Sequence, residues 1–296
     1  RPESLSSPTI GQDCAVVDLN GDLLVLSCDP ITSASVAHLG RLTVHVSCND
    51  AAAAGAEPVG LLVTLLMPPS GTMEQIAQIA DDLSKAAQLA NVDILGGHTE
   101  VTDAVTRAVT SATVIARQSR NQVLRGMRPG DDIVMTKYAA VEGTTILAED
   151  FPDRVSAVSP ELLNAARALS GQLSIVPESK IAMRHGAVAM HDVTEGGVLG
   201  ASWELGFANN CSVMIDSSKI PVRDETRALC AALSLDPLRL IGSGSLLIAC
   251  EDGAALCNAL QKAGIPAAVI GKAIVGNTSF VDGNILEEPH ADELYR

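Results

Sequence analysis

Four polar clusters interrupt the apolar first half of the chain, each at the end of a predicted strand or the edge of a predicted helix. They are Gly11–Asp13, Cys28–Pro30, Ser47–Asp50 and Gly96–Glu100. Asp50 follows Asn49 in an alanine-rich helical stretch, where aspartate is a poor helix former, so a buried carboxylate there needs a partner. Mg²⁺ meets this need because it takes oxygen ligands and is commonly held by one or two carboxylates and phosphate oxygens. Each acid taken alone also fits a cap, a turn or a solvated side chain.

The second and fourth clusters suit ligand binding for different reasons. Asp29 ends an apolar run, so we expect its carboxylate where a strand meets a loop, a common place for ligands. Gly96 and Gly97 end a short predicted strand, and a flexible turn there would let a phosphate approach the backbone closely. The polar residues of the same turn are His98, Thr99 and Glu100. A plain structural turn is the alternative interpretation.

The second half carries a comparable motif, His191–Gly197, ahead of a helix-like run. The motif has an acid at a strand end, Asp192, and a residue that can cap a helix, Thr194. These are followed by a second acid, Glu195, and by two glycines that open the helix, Gly196 and Gly197. A helix N-terminus binds anions through its free N–H groups and its dipole, so the motif predicts a phosphate site, with an ordinary capped helix as the alternative. Lys137 follows a buried strand, and we expect it either to meet a phosphate as a point charge or to be exposed.

Strand and helix patterns alternate along the whole chain and place these clusters. In the first half, Asn20-Gly21 between apolar runs predicts a hairpin, and Thr72 is expected to cap a helix that runs to Ala90. Other predicted elements there are a helix at Leu39–Ala54 and strands at Gly60–Met67, Val92–Leu95 and Ala108–Ala116. In the second half, strands are predicted at Ile133–Thr136, Ala187–Met190, Ser212–Ile215 and Ser245–Cys250, and helices at Pro160–Leu169, Glu178–Arg184, Gly197–Ala208, Arg223–Leu233 and Gly253–Ala263. We therefore predict an α+β chain with domains at 1–120 and 121–296.

Length and composition narrow the class of protein. A chain of 296 residues exceeds the usual size of one hydrophobic core, which favours two domains. The net charge of −15 argues against general nucleic-acid binding, which needs a basic face. The seven cysteines form no Cys-x-x-Cys pair, and buried free thiols in a reducing cytoplasm are the simplest account. The sequence has no apolar run of membrane-spanning length, so no membrane partner is expected.

The order of the clusters resembles that of the aminoimidazole ribonucleotide synthetase superfamily, and the second half most resembles the HypE-type hydrogenase maturation proteins. The matching segments are Gly11–Val17, Ser27–Asp29, Ser47–Pro58, Gly96–Glu100, Pro129–Val134 and His191–Gly197. In the second half, the segments that follow the HypE layout are Lys219–Arg223, Leu235–Leu238 and Gly242–Ser245. Two positions depart from the family: Gln12 stands where an acid is usual, and His98 replaces an acid or lysine.

This resemblance implies a two-domain PurM-like fold, with an N-terminal domain that forms a dimeric β-barrel-like core with flanking helices and a C-terminal α/β sandwich domain. It also implies that ATP binds with Mg²⁺. Carried over by position, the metal acids are Asp13, Asp29 and Asp50, and Asn49 is a supporting contact. The implied ATP-binding residues are Gly96, Gly97, His98, Thr99, Glu100, Asp192, Thr194 and Glu195. The predicted set also includes Lys137, from its place after a strand, and Gly196 and Gly197, from their place at a helix start.

The function implied by the resemblance is that of an ATP-dependent, HypE-like enzyme that activates an amide, a thioamide or a phosphate-accepting oxygen. The acceptor, whether a small molecule or a protein, stays open, and a cytoplasmic homodimer is expected. Two alternatives remain: a nucleotide-binding maturation or partner protein with little turnover, and a small-molecule kinase similar to thiamine-monophosphate kinase. ATP turnover with and without candidate acceptors would distinguish them.

Overall fold

The computed structural model describes residues 3–6 and 13–296. The chain divides into two compact units, residues 1–123 and 124–296. The division follows Val123, whereas the sequence placed it after position 120. Within the described residues, no helix combines the length and the apolar character that crossing a membrane requires.

In its described residues, the first unit is a five-stranded sheet with two α-helices. Its strands are Ala15–Leu19 (β1), Asp22–Ile31 (β2), Glu57–Met67 (β3), Asp93–Val101 (β4) and Val109–Gln118 (β5), and its helices are Leu39–Ala53 (α1) and Met73–Ala90 (α2). The strand order is β1-β2-β5-β3-β4, and only the β3–β4 pair is parallel. Helix α1 packs on β2, β5 and β3 and against α2. The buried side chains of this unit include Val25, Val44, Leu61, Ile79 and Val114.

Local signals in the sequence account for several boundaries of this unit. Asn20 and Gly21 both have positive φ and join β1 to β2, which confirms the predicted hairpin. Thr72 and Gln75 form a reciprocal capping box at the start of α2, which confirms the predicted cap. Asn91 ends the helix in the left-handed conformation.

Two predicted strand ends are wrong. The β2 strand continues through Pro30 to Ile31, so Asp29 lies inside a strand and pairs with Ala112 of β5. Pro30 lies beyond the part of β2 that pairs with β1, because the described pairing of these two strands ends at Leu26, and proline is tolerated where no ladder hydrogen bond is needed.

The predicted turn at Gly96–Glu100 is likewise part of a strand, β4, which pairs in parallel with β3 up to Val101. Ladder hydrogen bonds to β3 override the tendency of two glycines to break a strand. The pairing shifts register between Leu61 and Leu62, opposite the glycines, which is a typical place for glycine in a strand.

The second unit is a seven-stranded mixed sheet with six helices. Its strands are Asp132–Thr136 (β6), Ala187–Asp192 (β7), Ser212–Ile215 (β8), Leu246–Cys250 (β9), Ala267–Ile274 (β10), Phe280–Val281 (β11) and Asn284–Ile285 (β12). Its helices are Val141–Asp150 (α3), Pro160–Ala168 (α4), Val176–Arg184 (α5), Gly197–Ala208 (α6), Asp224–Leu233 (α7) and Gly253–Lys262 (α8). The strand order is β12-β11-β8-β10-β6-β9-β7. One apolar core includes Ile133, Leu205 and Ile270, and a second lies under α3, α4 and α7 and includes Leu147 and Leu229.

Candidate functional site

Two of the predicted metal acids meet at one serine hydroxyl in the first unit. Ser27 and Asp29 lie two residues apart on β2, so their side chains share a face of the sheet. Helix α1 packs on β2 and contributes Asp50. The Ser27 Oγ lies 3.3 Å from Asp29 Oδ2 and also contacts Asp50 Oδ2. Ser27 and Asp50 are buried, so the structure places a pair of carboxylates at a partly enclosed corner between strand and helix.

The helix around Asp50 is buried through much of its last two turns. Asn49 is fully buried beside it, so this polar pair lies inside the unit and the alternative of a solvated side chain does not hold for Asp50. Burial raises the pKa of the Cys48 thiol to about 12, and the charge of Asp50 adds to this rise. Cys48 therefore stays protonated at neutral pH, and a catalytic thiolate at this position is disfavoured.

Asp13, the third predicted metal acid, lies exposed just before β1. Gly11 and Gln12 of the same cluster lie outside the described residues. In the described part of the chain, no group of three or more His, Cys, Asp and Glu side chains could hold a metal ion. Asp29 and Asp50 still fit Mg²⁺, which is commonly held by one or two carboxylates together with waters and phosphate oxygens of the substrate.

The glycines of β4 lie in the same row of the sheet as Asp29, but three strands away. Asp29 pairs with Ala112, Ala112 pairs with Val63, and Val63 pairs with Gly97. Because neighbouring strands lie about 4.8 Å apart, the backbones at Asp29 and Gly97 are separated by roughly 14 Å. Within one chain, a single phosphate group cannot contact both.

The polar residues that follow these glycines are exposed on the edge strand. His98 Nε2 lies 3.5 Å from Glu100 Oε2, and both side chains are more than half exposed. Thr99, between them in the strand, is exposed as well. The predicted set from Gly96 to Glu100 is therefore an exposed extended segment at the edge of the sheet.

In the second unit, the predicted anion site at the start of α6 holds a carboxylate of the chain itself. Gly196 is the N-cap residue, and its N–H donates to Asp292 Oδ2 at 2.8 Å. Thr194 was expected to cap this helix through its side chain, but it contributes its carbonyl oxygen, which accepts from Gly197 N–H and Gly242 N–H. The N-terminus of α6 attracts an anion as predicted, and Asp292 supplies it.

Gly197 is confined to glycine by its surroundings. Its φ is +62°, and a Cβ atom there would lie 2.6 Å from the carbonyl oxygen of Leu238. Asp192 ends β7 as predicted and is buried, whereas Glu195 is exposed. The neighbouring His191 directs Nε2 toward Glu204 at 3.4 Å. The motif is thus a close-packed strand-to-helix connection with one acid inside and one at the surface.

Two buried carboxyl groups, those of Glu142 and Asp292, lie near this strand-to-helix connection. Glu142, in the first turn of α3, is buried, and burial raises its pKa to about 7. Hydrogen bonds from the side chain and backbone of Ser243 oppose the rise, while the charges of Glu195 and Asp292 add to it. Burial also raises the pKa of Asp292, against hydrogen bonds from the backbone of Leu294, Gly196 and Ile241. Burial therefore raises the pKa of both Glu142 and Asp292, which the sequence did not indicate.

Lys137 does not have the role that the sequence suggested. Its Nζ forms an ion pair with Glu178 Oε1 at 2.6 Å and donates to the carbonyl oxygens of Gln172 and Ser174 at 2.8 and 2.7 Å. These three contacts use the three hydrogens of the ammonium group. Lys137 is buried, so it is neither exposed nor free to meet a phosphate in this structure.

Sequence reasoning missed three residues of these clusters: Ser27, Glu142 and Asp292. Ser27 had a usable signal, since it stands two residues from Asp29 in an extended run and so shares its face. Glu142 lies in a helix that was not predicted, and Asp292 contacts a residue 96 positions away. Neither of those had a local signal in the sequence.

Two profiles of one protein family match the chain. The N-terminal domain of AIR synthase related protein matches residues 11–117, and its C-terminal domain matches residues 128–284. A hydrogenase expression/formation protein of Methanocaldococcus jannaschii is 29% identical over 218 residues, which are 71% of this chain and 62% of that relative. The carbamoyl dehydratase HypE of Rhodobacter capsulatus is 28% identical over 252 residues, which are 82% of this chain and 72% of that relative.

Solved structures share the fold of the whole chain. HypE of E. coli superposes with a TM-score of 0.80 at 24% identity, over 100% of this chain and 95% of that chain. A HypE in complex with ATP superposes with a TM-score of 0.77 at 23% identity, over 98% of this chain and 92% of that chain. A ThiL complexed with AMPPCP and TMP superposes with a TM-score of 0.77 at 19% identity, over 95% of this chain and 91% of that chain. At these identities the likeness establishes the two-domain PurM-like fold.

Proposed function

Because this chain belongs to the AIR synthase related protein family, we propose that it is an ATP-dependent enzyme of HypE-like type. In this proposal it uses Mg-ATP to activate an amide, a thioamide or a phosphate-accepting oxygen of its acceptor. The observation that carries the proposal is the convergence of Asp29 and Asp50 on the Ser27 hydroxyl. Relatives named carbamoyl dehydratase HypE and an ATP-bound HypE of the same fold support it.

Asp29 and Asp50 would hold the Mg²⁺ ion, with Asn49 as a buried neighbour and Asp13 as a further acid from the chain before β1. When bound, Mg²⁺ would neutralise charge on the phosphate oxygens and so favour transfer or activation. The carboxylates themselves contribute fixed negative charge at a partly enclosed position, where a divalent cation is held better than at an exposed one.

In the second unit, the candidate phosphate-binding residues are Asp192, Thr194, Glu195 and the glycines that open α6. Glu195 is exposed and so accessible to a ligand, whereas the Gly196 N–H is already used by Asp292. A phosphate would therefore bind here only in competition with that carboxylate. Lys137 is left out of the proposed site because its ammonium hydrogens are all used within the unit.

We also propose that the protein forms a homodimer and works in a reducing cytoplasm. Edge strand β4 is exposed along its full length, and apolar side chains stand exposed on it and on β3: Val59, Leu62, Ile94 and Leu95. An open strand edge beside exposed apolar surface favours pairing with a second copy. The seven cysteines are free thiols, as a reducing compartment requires.

The experiment that tests the proposal is calorimetric titration of the full chain with a non-hydrolysable ATP analogue, with and without Mg²⁺. We expect Mg-dependent binding that Asp50→Asn abolishes in a folded protein. The matched control is Asp81→Asn, which neutralises an exposed carboxylate of α2 that pairs with Lys85. Unchanged binding in folded Asp50→Asn would contradict the assignment of the metal acids, and light scattering tests the dimer.

A further inference from the structure

Asp29 and Asp50 come from different elements but reach the same hydroxyl oxygen. The contact of Ser27 Oγ with Asp29 Oδ2 is within one strand, while its contact with Asp50 Oδ2 crosses from β2 to α1, 23 positions apart in the chain. Ser27 is only 5% exposed, and Asp50 is 7% exposed. The hydroxyl is therefore the buried point at which the two candidate metal ligands are joined.

One serine hydroxyl links these two carboxylates. A serine hydroxyl carries one hydrogen and can donate to one carboxylate at a time, and an ionised carboxylate only accepts. The hydroxyl hydrogen is therefore shared between the two carboxylates, whose negative charges lie close to each other. Two carboxylates so close are stabilised by a cation placed near both of them.

We propose that Ser27 is a positioning residue, whose hydroxyl holds the carboxylates of Asp29 and Asp50 in the arrangement that receives Mg²⁺. This inference rests on the proposed function and adds to it a residue that does not itself bind the metal. Groups that hydrogen-bond to metal ligands fix the orientation of those ligands, and their loss commonly lowers metal affinity about 10–100-fold.

The surroundings explain why a small hydroxyl is required at this position. Ser27 lies on the strand face covered by α1, whereas Cys28 is exposed on the other face, where its thiol lies 3.7 Å from the Ser111 hydroxyl. A hydroxyl on the covered face reaches both the strand and the helix. Alanine would leave the two carboxylates without a bridge, and threonine would keep the bridging oxygen.

The test measures the Mg²⁺ concentration that gives half-maximal binding of a non-hydrolysable ATP analogue, by calorimetry on the full chain. For Ser27→Ala we expect an increase of about tenfold or more. Ser27→Thr should stay within about twofold of the unmodified protein because it retains the hydroxyl. Ser27→Cys keeps the volume but donates weakly, so it should behave like alanine and provides a second variant if alanine fails to fold.

A structural hydroxyl of the same unit provides the matched control. Thr43 of α1 and Thr110 of β5 share a buried hydrogen bond of 2.6 Å between Oγ1 atoms, which also joins helix to strand. Thr110→Val should lower the Tm without changing the Mg²⁺ requirement. If the serine variants lower the Tm and leave the Mg²⁺ requirement unchanged, as this control does, Ser27 is only structural and the proposal is overturned.

Failure of the proposed function itself gives a separate result. Absence of any Mg-dependent binding in the unmodified chain would overturn both proposals before a variant is compared. Normal binding in the unmodified chain with an unchanged Mg²⁺ requirement in Ser27→Ala and Ser27→Cys would overturn the role of Ser27 alone. A raised Mg²⁺ requirement in Ser27→Ala and Ser27→Cys, together with a near-normal requirement in Ser27→Thr, would support the role of Ser27.

Discussion

Lys137 at the end of β6 and Glu178 in the first turn of α5 form a buried ion pair, with 2.6 Å between Nζ and Oε1. Burial lowers the pKa of the Lys137 ammonium, and the charge of Glu178 acts against this effect. Because both side chains are almost fully enclosed, removal of either partner leaves an uncompensated charge inside the second unit. The pair is therefore expected to matter for stability.

Lys137→Met should lower the free energy of unfolding by about 3–5 kcal/mol, the usual effect of breaking a buried pair. Adding Glu178→Leu should recover most of that loss, since the stranded carboxylate is removed. Urea unfolding followed by the fluorescence of Trp203, the only tryptophan and a residue of this unit, measures both effects. If the double variant were no more stable than Lys137→Met, the stranded charge would not explain the loss.

Glu142 predicts an unusual dependence of stability on pH. Its pKa is about 7 in the folded protein against an ordinary value of 4.5, so between these values the folded state holds a proton that the unfolded state releases. Stability from this group is therefore complete below about pH 4.5 and is lost as the pH rises through 7. The loss is about 3 kcal/mol, from roughly 1.4 kcal/mol for each pH unit.

Glu142→Gln should accordingly be more stable than the unmodified protein at pH 8, by up to about 3 kcal/mol, and the difference should vanish near pH 5. Its amide can donate toward Glu195 and Asp292 while its oxygen accepts from Ser243. The control is Glu161→Gln in the first turn of α4, because the pKa of Glu161 is lowered and its substitution should give no gain at pH 8. A pH-independent effect of Glu142→Gln would refute the prediction.

Asp292→Ala should lower the free energy of unfolding by about 1–2 kcal/mol, the usual cost of losing a helix cap. It should also lower the pKa of Glu142, because the Asp292 charge contributes to the rise of that pKa. The pH profile of stability, measured in the same way as for Glu142→Gln, reports both changes. Asp252→Ala removes the cap of α8, an Asp252 Oδ1 contact of 2.9 Å with Ala255 N–H, and should cost about as much without moving the profile.

Gly97→Ala tests whether the two glycines of β4 are required by the strand. A Cβ atom at Gly97 would lie 1.7 Å from the carbonyl oxygen of Val63, and the residue has φ +151°. We expect a loss of about 3 kcal/mol or detachment of β4, seen as faster hydrogen exchange of the β4 amides. Gly96 has a similar φ of +156°, but a Cβ atom there would meet only Leu62 Cδ2 at 3.7 Å, so Gly96→Ala should cost only the backbone strain, about 1 kcal/mol. Equal exchange in the two variants would contradict this.

Elements with local signals were predicted well from the sequence. The α2 helix begins at a capping box and was found at its cap, and the bounds of α6 and β8 were predicted to the residue. The ends of these elements are specified by residues close to them in the sequence, and α2 also has a helical hydrophobic period. The same holds for the hairpin at Asn20-Gly21.

Elements set by tertiary contacts were not predictable in this way. The α3 helix starts after Lys137 and Ala140, two non-glycine residues with positive φ, a conformation that the surrounding structure must enforce. The β10 strand was missed because it contains Gly271 and follows Pro266, both of which argue against a central strand. For the site, sequence placed Asp29 and Asp50 among the candidates, but their meeting at Ser27 depends on the packing of α1.

The bond between Gly196 and Asp292 also has a consequence for the making of the protein. A chain leaves the ribosome from its N-terminus at about 5–20 residues per second. The 96 positions between these two residues therefore take roughly 5–20 s to synthesise. Throughout that interval the start of α6 lacks its carboxylate, while all five strands of the first unit have already been made. The second unit therefore cannot complete this contact until its last residues have been synthesised.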